Sequence, residues 1–210
     1  MEMIVRDTAE RALVLQEAND PDLRFFRNTH LSIYFTQLPG IDEPNRDWPG
    51  FRLMQADLAD LAESLEHVDM AVTFGAGGHG DESIHPLHKR VIGERLPRLA
   101  LHHDYGRSDL LSGGPKVIGI TRKSALIRIS FDRVGSGLKL SSPLRLDHWQ
   151  WKLKDGRHQQ ACPVVADVSH IAVSLPPEAE AVALEYAPRN ADMEPQLFNS
   201  EDLPASPFII

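Results

Sequence analysis

The 210-residue sequence contains a single cysteine, Cys162. An internal disulfide is therefore excluded, and Cys162 reads as a small buried hydrophobe in a strand. No apolar run approaches the roughly 18 residues that a membrane span needs. The first twenty residues carry scattered acidic side chains and no continuous apolar core, which excludes a secretory signal there. Basic clusters are also missing. Lys and Arg number 22 against 30 Asp and Glu, a net charge of −8, so nucleic acid is not an expected partner and neither is a membrane. Aromatics make up only 7% of the chain. No His-Glu-x-x-His or Cys-x-x-Cys spacing occurs, and no phosphate-loop ending or dinucleotide glycine spacing, so neither metal nor cofactor is expected. No internal repeat at solenoid spacing is present.

The rest is ordinary for a globular chain: 42% hydrophobic and 25% charged residues, enough for a core and one or two domains. Residues Glu2 to Asp20 read as a helix stopped by Asn19-Asp20-Pro21. Leu31, Ile33 and Phe35 alternate with polar residues, a strand running to Leu38. Asp47 caps a helix with Pro49 in its first turn, and Phe51, Met54, Leu58, Leu61 and Leu65 form an apolar stripe for packing on a sheet. Met70–Phe74 is a buried strand, followed by glycine-rich Gly75–Gly80 and by a helix from Pro86, kinked at Pro97, with Leu87, Val91, Leu96 and Leu99 toward the core. The order strand–helix–strand–helix predicts two units of a parallel sheet. Beyond Ser112-Gly113-Gly114-Pro115 the helical periodicity stops. Short runs at 116–121, 126–131, 144–153, 164–168, 171–175 and 181–186, separated by glycine and proline turns, predict a small antiparallel sandwich. The proline-rich tail from Pro188 reads as irregular surface packing.

The stretch from Met70 to Tyr105 holds the chemistry. Strand end, glycine loop and helix start meet there, and Asp81, Glu82 and His85 sit at the mouth of the loop. A carboxylate shortly before a histidine can hold the imidazole in one tautomer and stabilise its charged form. Read from the residues alone, a histidine at a helix start bonds a backbone carbonyl, and the two carboxylates favour the helix dipole. The loop glycines, Gly78 among them, allow the backbone to bend around a substrate. Gln37, at the end of the first strand, either contacts substrate from the same sheet edge or closes a loop. Trp48, Trp149 and Trp151 read mainly as packing residues, with a sugar-platform role as the alternative.

Ser83-Ile84-His85-Pro86, Lys89, Gly93-Glu94-Arg95-Leu96 and Tyr105-Gly106 resemble the histidine block of the sialate O-acetylesterase family, serine esterases of the SGNH (GDSL-like) fold. Ser32–Leu38, Trp48–Ala56, Met70-Ala71-Val72-Thr73, Ile129–Leu140 and Leu203–Phe208 resemble further family segments in the same order, covering roughly residues 30 to 208. The resemblance implies an α/β part followed by an all-β part. Residues 1–111 would be the C-terminal half of an SGNH three-layer α/β/α domain, and 112–210 an antiparallel β-sandwich module with an irregular tail. It implies His85 as general base, with Glu82 (three before it) or Asp81 (four before it) as orienting acid. Many bacterial relatives carry Asp two positions before the histidine, where this chain has Ser83. The family's serine nucleophile and oxyanion blocks lie upstream of anything matched here. The expectation is therefore a carbohydrate O-acetylesterase half, acting on an O-acetylated sugar and inactive without a serine half from a second polypeptide. Family members are often extracytoplasmic. The unpaired strand edge of a half-domain predicts a bound partner or a homo-oligomer. The competing expectation is a non-catalytic remnant or carbohydrate-binding module whose tryptophans carry the affinity.

Overall fold

A computed structural model describes residues 32–40, 47–62, 68–76, 86, 88–176, 180–190 and 194–210. The expected Glu2–Asp20 helix lies outside them. Strand β1 (Ile33–Thr36) leads to helix α1 (Trp48–Ala62), strand β2 (Val68–Ala71) and helix α2 (Lys89–His103). β1 and β2 pair in parallel, Ile33 opposite Val68 and Thr36 opposite Ala71. Both helices pack on β2, and α2 also touches β1. The α/β unit read from the sequence is thus present.

Two of its details differ from expectation. Of the expected stripe on α1, Phe51, Met54 and Leu61 are turned outward, being 45%, 43% and 64% exposed, Leu58 is half-buried and Leu65 lies outside the described residues, while Pro49, Arg52 and Ala62 are buried. Leu53, Ala56 and Ala59 line the inner side with them. Small side chains let the helix approach closely there, and the Arg52 guanidinium lies over the Phe74 ring, 5.5 Å from its centre. Helix α2 begins at Lys89 rather than Pro86 and runs through Pro97 to His103. Pro97 faces solvent, where water can satisfy the carbonyl that its missing N–H leaves unpaired. Leu99 is fully buried; Leu87 lies outside the described residues.

From residue 116 the chain is β-rich, as its turn punctuation implied. Strands β3 (Lys116–Lys123), β4 (Leu126–Asp132), β5 (Lys139–Leu140), β6 (Trp149–Leu153), β7 (His158–Gln160), β8 (Pro163–Asp167), β9 (His170–Ser174), β10 (Ala181–Tyr186), β11 (Leu197–Phe198) and β12 (Phe208–Ile209) follow one another. They form antiparallel sheets in the orders β3-β4-β9-β8 and β12-β10-β6-β7, with a small β11-β5 pair beside them. Alternate residues of both large sheets meet in one core: Ile129, Phe131, Ile171 and Val173 from one, Trp149, Trp151, Leu184 and Tyr186 from the other. Trp149 is fully buried, its ring 4.6 Å from that of Tyr186 and 5.8 Å from that of Phe208. Trp151 donates its indole N–H across the sandwich to the carbonyl of Ser174, at 3.1 Å. Neither ring offers a face to a sugar, so the sugar-platform alternative fails for both. Cys162 is exposed, just ahead of β8, rather than buried in a strand.

The tail is not irregular. β11 pairs with β5 and β12 pairs with β10, so residues 197–209 complete the sandwich. Two polar pins hold them. The Tyr186 hydroxyl accepts hydrogen bonds from the backbone N–H groups of Gln196 (2.8 Å) and Leu197 (3.1 Å). Asn199, fully buried, donates to the carbonyls of Gly113 and Arg133 and accepts from the N–H groups of Glu201 and Leu203.

A charged clasp ties the turn before β6 to the segment after β10. Asp147 accepts from Arg189 at 2.7 Å and from Arg145 at 3.2 Å. Burial pushes its carboxyl up, but the hydrogen bonds and charges of the two arginines together outweigh burial and hold it down at about 2. A depressed carboxylate stabilises the fold above its unfolded value of about 3.9 and loses that contribution as pH falls toward the folded one. Urea midpoints of wild type and Asp147→Asn should therefore differ at pH 5 and converge between about pH 4 and 2. A gap that persists unchanged to pH 2 would show that the clasp does not act through ionisation.

Candidate functional site

The carboxyl ends of β1 and β2 lie side by side, the position at which parallel sheets place their ligand sites. The backbone there is held from three directions. Arg95 of α2, largely buried, donates to the carbonyls of Val72 (2.6 Å) and Phe74 (3.3 Å), and burial lowers its guanidinium to about 10. The Thr73 hydroxyl donates to the Gln37 carbonyl, and the Gln37 N–H donates to the carbonyl of Ala71 at 3.0 Å. Phe74, fully buried, sets its ring edge-on to that of Tyr186, with centres 6.3 Å apart. It thereby joins the strand end to the sandwich core.

From this frame the glycine loop departs. Gly75 turns the chain with φ +86°, and a side chain there would collide with Pro195, 2.7 Å from where its Cβ would stand. The loop is pinched at its base: the His88 N–H, at the start of α2, donates to the Ala76 carbonyl at 3.1 Å. Gly78, Asp81, Glu82 and His85 lie between these two feet and outside the described residues. What is fixed is the base from which they are presented, at the carboxyl end of β2.

Gln37 is 1% exposed. Its side-chain amide donates to the Arg52 carbonyl (3.2 Å) and to the Ser206 hydroxyl (2.7 Å). This joins β1, α1 and the C-terminal segment, which is the loop-closing alternative in physical form. A substrate contact would have to use Oε1, a buried acceptor with no hydrogen bond of its own among the described residues.

A second concave feature was not foreseen. A cavity of about 480 Å³ opens between α1, β2, residues 113–117 and the C-terminal segment 206–210. Asp69, at 5% exposure, sits in its wall. One of its oxygens accepts from the backbone N–H of Met70 (2.7 Å), while the other faces His103 Nε2 (3.0 Å) and Arg133 (3.3 Å). Lys116 pairs with Asp60 of α1 at 2.8 Å. These partners lie far apart in the chain, so no local spacing advertises them. Gly114 makes the wall possible, since a Cβ there would stand 1.9 Å from the Pro204 carbonyl oxygen.

Compared with known proteins, the chain matches no family profile and no curated protein sequence. Among solved structures it is similar to a carbohydrate acetylesterase from Xanthomonas citri, with a TM-score of 0.74 and 24% sequence identity. The match covers 95% of this chain and 44% of that one, so this chain spans less than half the length of the structure it resembles. The likeness fixes the fold: an α/β unit whose strand ends carry the glycine loop, joined to a β-sandwich.

Proposed function

We propose that this chain is the histidine-bearing part of a carbohydrate O-acetylesterase, of the sialate type that its motifs resemble. The observation that supports this most directly is the fold shared along almost the whole chain with a carbohydrate acetylesterase. Residues 1–111 belong to an SGNH-type α/β unit and 112–210 to the sandwich module appended to it. His85 acts as general base, oriented by Glu82 or Asp81, and Gly78 and Gln37 help to seat the acylated sugar. The serine nucleophile and its oxyanion donors lie outside these 210 residues.

In the first half-reaction His85 takes the proton of that serine as its oxygen attacks the acetyl carbonyl. Collapse of the tetrahedral intermediate breaks the ester bond, and the departing sugar oxygen recovers the proton from His85. A water, deprotonated by the same imidazole, then attacks the acyl-serine and releases acetate. The clamp of Arg95 on the carbonyls of Val72 and Phe74 supports this reading, because a base on a glycine-rich loop needs a rigid strand end behind it.

The test is p-nitrophenyl acetate hydrolysis by the purified chain, alone and mixed with a polypeptide carrying the serine half. Alone it should match its His85→Ala variant at background rate; the mixture should be active. A His85-dependent rate from these 210 residues alone would overturn the need for a serine supplied from outside them. An inactive mixture would overturn the esterase reading.

A further inference from the structure

We propose that the cavity between the α/β unit and the sandwich is a binding site for one neutral sugar unit, separate from the loop that carries His85. Its volume of about 480 Å³ falls in the range of about 300–1,000 Å³ typical of small-molecule sites, and domain seams are where such sites concentrate. It is also built from the two units together, with Asp57 from α1, Asp69 from β2, Lys116 and Val117 from β3, Arg133 after β4 and Phe208 of β12.

The chemistry of this wall selects the ligand. Each cation is already matched by a carboxylate, Lys116 by Asp60 at 2.8 Å and Arg133 by Asp69 at 3.3 Å. With Asp57 added, carboxylates exceed cations by one among these side chains, so an anion gains no net attraction. No group of three metal-binding side chains occurs among the described residues, so the wall makes no metal site. A hydrocarbon would leave the buried Asp69 carboxylate facing apolar surface, which is costly. A pyranose meets all of these demands. Its hydroxyl edge donates to the Asp57 and Asp69 carboxylates, which retain acceptor capacity beyond their present bonds, and accepts from Arg133 or Lys116. Its C–H face lies on Phe208 and Val117. The site is at Asp69–Val72, whereas the loop that carries His85 begins beyond Phe74.

Protein-observed NMR titration of the full chain with methyl β-glucopyranoside, and with glucuronate as the anionic control, tests this. Saturable shifts for the neutral glycoside should appear at Val72, Val117 and Phe208, with glucuronate weaker. Filling the cavity with Ala56→Trp should weaken binding at least about tenfold, the scale of a lost pocket contact. Asp57→Ala, an exposed helix position that does not threaten folding, should weaken it as well. His85→Ala should leave it unchanged. No saturable shift, equal binding in both cavity variants, or preference for glucuronate would overturn the proposal. The esterase reading would survive that failure, and loss of esterase activity would leave the binding intact.

Discussion

Trp149→Ala is expected to cost about 3–5 kcal/mol of unfolding free energy, the range for emptying a large aromatic site in a core that cannot collapse around it. The site cannot collapse because its walls come from different parts of the chain. Tyr186 and Phe208 each contact the Trp149 ring and lie tilted against one another, with centres 5.2 Å apart. Both belong to strands that pair with neighbours at fixed register. The loss should also travel. Tyr186 holds the N–H groups of Gln196 and Leu197, and its ring meets Phe74 at the strand end behind the glycine loop. Urea unfolding followed by far-UV circular dichroism measures the cost, and the near-UV aromatic signal should fall with it. A loss below about 1 kcal/mol would mean that the aromatic cluster is not the keystone of the sandwich.

The sandwich was legible because its turns announce themselves locally. Asp155-Gly156 and Gly135-Ser136-Gly137 bound their strands with glycines at positive φ, +86° at Gly156 and +61° at Gly135, conformations that a sequence reader can anticipate. The tail carries no such local mark. Leu197 pairs with Leu140 and Phe208 with Tyr186, and two-residue strands have no periodicity to read. The face of α1 failed for another reason. Its sequence offers two faces that can be buried, Phe51–Met54–Leu61 and Leu53–Ala56–Ala59 with Arg52. The choice between them rests on how closely the helix must approach β2 and on the Phe74 ring that receives the guanidinium. Periodicity gives a helix its stripe but not its neighbour.

The site divides along the same line. Its one-dimensional part, a glycine loop between an apolar strand and a helix with acids and a histidine at its mouth, is visible in the residues. Its three-dimensional part is not. Arg95 reaches back to Val72 and Phe74 from the following helix, and Arg133 reaches Asp69 across the seam between the two units. Such contacts depend on the pairing of the whole chain, and no spacing rule encodes them.

On the proposed mechanism, His85→Ala in the chain joined with its serine half should lower kcat by about 10²–10⁴-fold, the usual contribution of a general base, or about 3–5 kcal/mol at 1.36 kcal/mol per decade. KM should change little, since the imidazole meets the reacting serine rather than the sugar. Thermal stability should be unaltered, because the frame beneath the loop is held by Arg95, Thr73 and the contact between His88 and Ala76. The orienting acid is then found by comparing Glu82→Gln with Asp81→Asn. The true partner favours the charged imidazole, so its loss should lower the rate and move the acidic limb of the kcat/KM profile to lower pH, as the free-enzyme histidine becomes easier to deprotonate. The other variant should leave that limb in place. A limb that moves in neither would mean that both carboxylates serve the helix dipole alone and that His85 takes its orientation from elsewhere. Full activity in His85→Ala would remove the chain from the chemistry and leave the sandwich and its seam cavity as the functional parts.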